Sequence, residues 1–351
     1  MAADQGDGAY EAAPSESTRP TAKQDDPPLS ELCPGGLGDE ALAATPPFEL
    51  VVVTYRSRRQ VEGLLAGLPA DLPTVLVDNS HDEDGIRQVV ESRPAGRYVD
   101  GGGHGFAKAA NQGARTTSFD YVVFVNPDSR PHVDALRALV RDVARDATLA
   151  SSAAMPVGSD GRPETGVGGW EPSVLRSVVH ALGVHKLAPR AGLFAQPERG
   201  TATDVDWTTG ACLAVRVATF WSLGGFDEEF YVYNEDMAFG RTARERGLRQ
   251  LLRSDVVVPH SAGGSGAPSL EMLRLRGASM ARYVRRHHGP AGAGSIAIAL
   301  AIGSAARAGI ALGKGERTVA AGYVEYVKGI LTGHAHVGGR MVPAPSADTG
   351  R

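Results

Sequence analysis

Phe48-Glu-Leu-Val-Val-Val-Thr54 is a short, almost unbroken apolar run rich in β-branched residues, and it leads into the polar Thr54-Tyr55-Arg56. A run of this kind suits a parallel strand covered on both faces. Outward from it, helical and strand patterns alternate. Val61, Leu64, Leu65 and Leu68 recur at helical spacing, Thr74-Val-Leu-Val-Asp78 reads as a second strand, residues 86–91 as a short helix and Arg97-Tyr-Val99 as a third strand. The turn Gly101-Gly-Gly-His-Gly105 opens a helix predicted over residues 106–115. Asp120-Tyr-Val-Val-Phe-Val125 is a fourth strand, and residues 133–146 are helical, with Leu136, Leu139, Val140 and Val143 on one face. This alternation predicts an α/β fold with a largely parallel sheet. After residue 150 the pattern loosens, with frequent Gly and Pro between 156 and 210. A strand over 210–215, a helix over 235–246 and a strand over 250–259 follow, and from Ser269 the chain turns helical and basic. There are no internal repeats.

The chain has 351 residues and a net charge of −4. That length suits one large or two ordinary domains, and the charge is too small for a dedicated nucleic-acid binder. The charge is unevenly spread: residues 1–45 carry −7, residues 46–267 carry −4 and residues 268–351 carry +7. The acidic head has few large apolar residues and is expected to be disordered. The two cysteines, Cys33 and Cys212, form no C-x-x-C pair, and no basic stretch followed by an apolar core opens the chain. These features predict a cytoplasmic protein with unpaired thiols. The longest apolar run, Pro290 to Gly313, is rich in Ala and Gly and carries Arg307. It is expected to be a buried or interfacial helix rather than a membrane span.

In an open α/β sheet, ligands bind beyond the carboxyl ends of the strands. Three such ends carry polar groups: Thr54-Tyr55-Arg56, Asp78-Asn79-Ser80 and Asn126-Pro-Asp128. The turn at 101–105 fits neither the dinucleotide fingerprint nor the P-loop, yet backbone N–H groups at a helix start hold anions, and Lys108 and Asn111 share a helical spacing behind it. By residue type alone, Asp128 is either a carboxylate for Mg²⁺ or Mn²⁺ or a turn acid. Glu235 and Asp236 are either first-turn acids behind an Asn234 cap or a general base, and His260 is either structural or a ligand.

Taken together, these pieces resemble the inverting glycosyltransferases of family 2, of the GT-A fold, and most closely the bacterial rhamnosyltransferase branch. The resemblance rests on Val51-Val-Val-Thr-Tyr-Arg-Ser57, Val77-Asp-Asn-Ser80, Gly105-Phe-Ala-Lys-Ala-Ala-Asn-Gln-Gly113, Val125-Asn-Pro-Asp128, Thr209-Gly-Ala-Cys-Leu-Ala-Val-Arg216, Leu223-Gly-Gly-Phe-Asp-Glu-Glu-Phe230, Asn234-Glu-Asp236 and His260. They follow the family's order across residues 48–262.

The resemblance implies a GT-A catalytic domain over 46–267, a helical basic extension over 268–340 and a flexible tail over 341–351. It implies transfer of a sugar from a nucleotide-diphosphate donor, dTDP-L-rhamnose in this branch, to a hydroxyl of a glycan, lipid-linked or small-molecule acceptor. Galactofuranosyl transfer is the nearest alternative. Thr54, Tyr55, Arg56, Asp78 and Asn79 would line the nucleotide pocket, and Gly105, Phe106, Lys108 and Asn111 would run along the nucleotide and its phosphates. Asn126-Pro-Asp128 stands for the family's D-x-D motif, with Asp128 and His260 as ligands of Mg²⁺ or Mn²⁺. Asp236 would be the base, with Glu235 beside it. Trp207, Gly210 and Ala211 would line the donor sugar, with Trp207 stacking on an acceptor ring. Independently of the resemblance, the basic segment, including Arg282, Arg285, Arg286, His287 and His288, either faces an anionic membrane or a lipid diphosphate or is a solvated basic helix packed beside the catalytic domain. Two other readings are a nucleotidyltransferase, which lacks its usual Gly-rich loop after the first strand here, and a non-catalytic nucleotide-sugar or glycan-binding module.

Overall fold

The computed structural model describes residues 45–158, 160–260, 269–338 and 340–342. The expectations of disorder over the head and of a flexible tail therefore fall almost wholly outside the described residues, as does Cys33. Cys212 lies inside the core, where burial pushes its thiol up to about 12, so it is a small apolar side chain rather than a nucleophile.

The fold is a mixed, mostly parallel eight-stranded sheet with helices on both faces. The strands are β1 (Glu49–Thr54), β2 (Thr74–Asp78), β3 (Gly96–Asp100), β4 (Tyr121–Val125), β5 (Leu149–Val157), β7 (Ala202–Val205), β9 (Cys212–Arg216) and β10 (Arg249–Pro259). Their order across the sheet is β3-β2-β1-β4-β9-β5-β10-β7. Only β9 and the edge strand β7 run against the rest, so β1, β2, β3, β4, β5 and β10 all point their carboxyl ends to one rim.

Alternation along β1 and β2 builds two cores. Val51, Val75 and Val77 face a layer containing α3 (Phe106–Thr116) and the aromatic group Phe124, Phe220, Phe226 and Phe239. Leu50, Val52 and Leu76 face α1 (Arg58–Ala66), α2 (Ile86–Glu91) and α4 (Val133–Arg145). The period-2 pattern fixes the register here, since a one-residue slip exchanges the two faces.

Strand β5 departs from the expected loosening after residue 150. Its sequence, Leu-Ala-Ser-Ser-Ala-Ala-Met-Pro-Val, is buried throughout. Its hydroxyls are satisfied inside, Ser151 Oγ donating to Gln250 Oε1 at 2.8 Å and Ser152 Oγ to Asp142 Oδ2 at 2.7 Å. A buried strand of small and hydroxyl residues has no β-branched run to announce it.

Beyond β5 come a short ladder of β6 (Gly168–Gly169) with β8 (Trp207–Thr208), and the helices α5 (Val174–Ala181), α6 (Val217–Ser222) and α7 (Glu235–Glu245). The C-terminal region is helical: α8 (Ser269–His287), α9 (Pro290–Gly313) and α10 (Arg317–Thr332), closed by the hairpin β11 (Ala335–Val337) and β12 (Arg340–Val342). Pro290 sits in the first turn of α9, where a backbone N–H would have no partner within the helix and its absence costs nothing. β12 carries ordered chain through Val342, into the expected tail. Helices α8 and α10 meet through Gly277 and Gly329, where a Cβ would stand only 2.3 Å from Tyr326 O and 2.0 Å from Arg274 O.

These helices share a core with the catalytic half: Trp207, Phe230 and Met237 pack with Ala281, Tyr283 and Ile330. Glu171 ties the halves together. Its carboxylate accepts from Arg241 at 2.9 Å, from Arg244 at 2.5 Å and from the Tyr283 hydroxyl at 2.7 Å. Glu171→Ala takes one acceptor from each guanidinium, which keep Glu245 and Asp206, and leaves the buried Tyr283 hydroxyl unpaired; it is expected to cost about 1–3 kcal/mol, read as a drop in the urea midpoint at unchanged slope.

Candidate active site

The rim formed by the parallel strand ends carries the polar groups. Backbone bonds stitch it together: Asn126 N donates to Ala211 O, Arg130 N to Pro259 O and His260 N to Val157 O. The Asn126–Ser129 turn is thereby held between the start of β9 and the end of β10.

Here Asp128, His260 and Glu164 converge. His260 Nδ1 lies 2.9 and 3.0 Å from the two Glu164 oxygens. A carboxylate only accepts, so Nδ1 carries the proton and Nε2 is the atom left to face outward. Nε2 sits 3.1 Å from Asp128 Oδ1 yet has no aligned hydrogen-bond partner. Burial alone would lower the imidazole, but the Asp128 and Glu164 carboxylates overcome it and hold the ring up to about 10, so a cation bound here takes the place of the Nε2 proton. A buried imidazole nitrogen beside a carboxylate oxygen, with the second ring nitrogen held by another carboxylate, is a donor pair of the kind that fits a divalent metal. Among the described residues no group of three or more His, Cys, Asp or Glu is arranged as a metal site. Two protein donors nonetheless suit Mg²⁺ or Mn²⁺, which complete their shells with water and phosphate oxygens.

Glu164 has no signal in the sequence. It lies in a Gly- and Pro-rich stretch and reaches His260 only because β5 and β10 are neighbours. Glu164→Gln is expected to weaken metal affinity and transfer by about 10–100-fold, measured by Mn²⁺ titration and initial rates.

The second carboxylate group opens α7. Tyr233 and Asn234 both have φ of 69°, left-handed values for non-glycine residues, which turn the chain sharply into the helix. Asn234 does not cap through its side chain, contrary to expectation; its Nδ2 turns inward to Met237 Sδ at 3.5 Å. The turn is held from two sides: Tyr231 O accepts from Phe106 N at 2.6 Å, and Val232 O accepts from Ser279 Oγ of α8 at 2.8 Å. Gly105 is required at this contact, because a Cβ there would stand 2.1 Å from Tyr231 O.

Burial pushes the Asp236 carboxyl up to about 6, against the Met237 N–H and the Arg276 guanidinium, which favour its charge. Glu235 is also raised well above the usual carboxylate range, by burial and then by Asp236, and its Oε2 has no partner. Two adjacent carboxyls thus share a site that favours one charge, with Asp236 the one poised to take a proton near neutral pH.

Several expected contacts fall elsewhere. Asp78 is sealed: its oxygens accept from Ser80 N, Ser80 Oγ, Asp82 N and the Tyr98 hydroxyl, so it shapes the 78–82 loop rather than presenting an open carboxylate. Asn79, next to it, donates to Gly105 O and keeps an unpartnered Oδ1. Thr54 is buried with its hydroxyl unpartnered, Tyr55 is exposed, and Arg56 lies over the Tyr55 ring and pairs with Glu83 at 2.6 Å.

Lys108 and Asn111 do not face one ligand. Lys108 borders a cleft of about 310 Å³ with Gly101, Gly102 and His104, whereas Asn111 is buried and clamps Phe226, accepting from its N at 2.9 Å and donating to its O at 2.7 Å. Phe106, partly buried, packs against Phe226 and over Gly210. Ala211 contributes its carbonyl to the Asn126 turn. Trp207 is buried, its indole N–H directed at Trp170 O and its ring against Phe194, so it cannot stack on an acceptor ring. Trp170 is partly exposed under Arg176. Arg282 and Arg286 point back at the catalytic half, paired with Glu229 and Asp227.

Residues 50–184, which carry the strand ends of β1, β2, β4 and β5, match the family described as Glycosyl transferase family 2. The chain is a glycosyltransferase, similar over these residues to family 2. It is similar to the N-acetylglucosaminyl-diphospho-decaprenol L-rhamnosyltransferase of Mycobacterium tuberculosis, 26% identical over 238 residues that cover 62% of this chain and 77% of that protein. It is also similar to the rhamnosyltransferase WbbL of Escherichia coli, 24% identical over 214 residues, 54% of this chain and 73% of that protein. A mannosyltransferase from Pyrobaculum calidifontis, solved with GDP-Man and Mn²⁺, shares the fold: TM-score 0.54 at 17% identity, covering 83% of this chain and 88% of that one. As a glycosyltransferase of GT-A fold, the chain places the Asp128–His260 pair and the Asp236 turn at the rim where the fold binds its ligands.

Proposed function

We propose that this glycosyltransferase moves L-rhamnose from dTDP-L-rhamnose to a hydroxyl of a lipid-linked diphosphate glycan, with inversion and with a divalent metal, at the cytoplasmic face of a membrane. The sugar is suggested by the names of the two bacterial relatives, the lipid-linked diphosphate acceptor by that of the mycobacterial one alone, and the dTDP carrier by the family resemblance. The observation that carries the chemistry is the pairing at one rim of a buried Asp128–His260 donor set with a carboxyl, Asp236, raised to about 6.

Asp128 and His260 would hold the cation, which, when bound, offsets the charge that builds on the leaving diphosphate. Glu164 keeps the His260 ring oriented and its Nδ1 protonated. Asp236 accepts the proton of the attacking hydroxyl as the bond to the anomeric carbon forms, and the diphosphate leaves from the opposite face. Displacement in one step inverts the anomeric centre. Glu235, its carboxyl raised by burial and then by Asp236, stands beside the base as a contact for the acceptor. The unpartnered Thr54 hydroxyl and Asn79 Oδ1, with Lys108, are the groups available to the nucleotide.

A thermal-shift screen of nucleotide sugars with Mn²⁺ tests the donor directly, since a ligand of the folded state raises apparent stability. dTDP-L-rhamnose is expected to give the largest shift, and only with metal present. A larger shift with UDP-galactofuranose would move the reading to that donor.

A further inference from the structure

The outward side of α9 carries no charge. Ile298, Ile302 and Ile310 lie on it among Ala and Gly, Ile302 being 64% exposed. A helix on the surface of a soluble protein normally shows charged residues there. The helix is 24 residues long, about 36 Å, and its only charged residue, Arg307, is turned aside, donating to His180 O at 2.8 Å.

Helix α5 lies against it, Gly303 of α9 packing on Ala181. Leu175 and Leu182, one exposed stripe of α5, and Leu187 just beyond are 73%, 72% and 90% exposed. Together the two helices present one large apolar face, well beyond the scattered apolar residues of an ordinary surface.

The charge around this face has one sign. Residues 172–197 contain Arg176, Lys186 and Arg190 and no acid; residues 289–315, which hold α9 and the turn after it, contain Arg307 and Lys314 and no acid. Lys186, Arg190 and Lys314 are exposed at its margins. A second copy of the chain would bring like charge against like charge, whereas an anionic lipid surface accepts both the apolar face and its basic border. The inner side of α9 is committed to protein, with Ala293, Ile296 and Leu300 in the core beside Tyr283, so the helix lies along a membrane rather than across it.

We propose that the face made by α5 and the outward side of α9 docks on an anionic lipid bilayer, lying in its interfacial plane. This rests on the reading of a lipid-linked acceptor and replaces α8, whose Arg282 and Arg286 are already paired, as the membrane contact.

The test is co-sedimentation of the full chain with equimolar phosphatidylcholine–phosphatidylglycerol vesicles at low salt, for wild type, Leu182→Glu/Ile302→Glu and Lys186→Glu/Arg190→Glu. Wild type is expected to pellet, more weakly in high salt and on pure phosphatidylcholine, and both double variants to lose about 10-fold or more in partitioning. All three proteins are expected to keep the same rate on a water-soluble acceptor, so failure at the membrane is distinguishable from failure of the catalytic reading. No pelleting of wild type, undiminished pelleting of the apolar variant, or a wild-type dimer that Leu182→Glu/Ile302→Glu makes monomeric would each overturn the proposal.

Discussion

Asp236→Asn is expected to lower the transfer rate by about 10²–10⁴-fold, the usual contribution of a positioned base. The substitution keeps the shape of the site, because the Asn Oδ1 still accepts from Met237 N, as Asp236 Oδ1 does at 2.7 Å. Nucleotide binding should therefore survive, and the loss should fall on kcat. In the wild type the base is competent only when ionised, and its carboxyl is raised to about 6, so kcat is expected to fall as pH drops below that value. The variant should lose this limb.

Stability moves the other way. A carboxyl raised above its unfolded value opposes folding once pH exceeds the folded value, and the penalty fades as pH falls toward 4. At neutral pH the Asn variant is therefore expected to be more stable, on the order of 1–3 kcal/mol, an inactive but hardier protein. Wild-type turnover by Asp236→Asn would remove Asp236 as the base; a loss of both stability and nucleotide binding would make it a structural residue.

Asp128→Ala is expected to weaken Mn²⁺ binding and transfer together, each by about 10²-fold or more, since the substitution removes one of two protein donors. Mn²⁺ affinity measured without donor sugar separates this from a general loss of activity. The substitution also removes the carboxylate nearest His260 Nε2, leaving Glu164 to hold the ring alone. Unchanged Mn²⁺ affinity with the fold intact would show that the metal, if used, sits elsewhere.

What is legible in the sequence follows a physical line. β1, β2 and β4 are apolar runs buried on both faces, and α3 and α4 have clear buried stripes, so local pattern and tertiary role agree. β5 is not legible because its small residues and hydroxyls become strand-like only once Gln250 and Asp142 satisfy them. At the rim, motif order alone points to Asp128, His260 and Asp236, and the fold brings Asp128 and His260 together. Glu164 escapes because its partner is 96 residues away across a parallel pair. Asn111 and Trp207 mislead for a different reason: a polar amide or an indole is equally suited to a ligand or to a buried carbonyl, and only packing shows that their partners are Phe226 and Trp170. The basic α8 misleads because its charges meet Asp227 and Glu229, acids of a loop about 55 residues upstream that no helical pattern connects to it.

The most direct measurement is incubation of the full chain with dTDP-L-rhamnose, a polyprenyl-diphosphate N-acetylglucosamine acceptor and Mn²⁺, with the product followed by mass spectrometry and its anomeric configuration by NMR. The expected result is one deoxyhexose added per dTDP released, inverted configuration, and loss of turnover in EDTA that Mn²⁺ restores. Retained configuration, release of pyrophosphate in place of dTDP, or full activity in EDTA would contradict it.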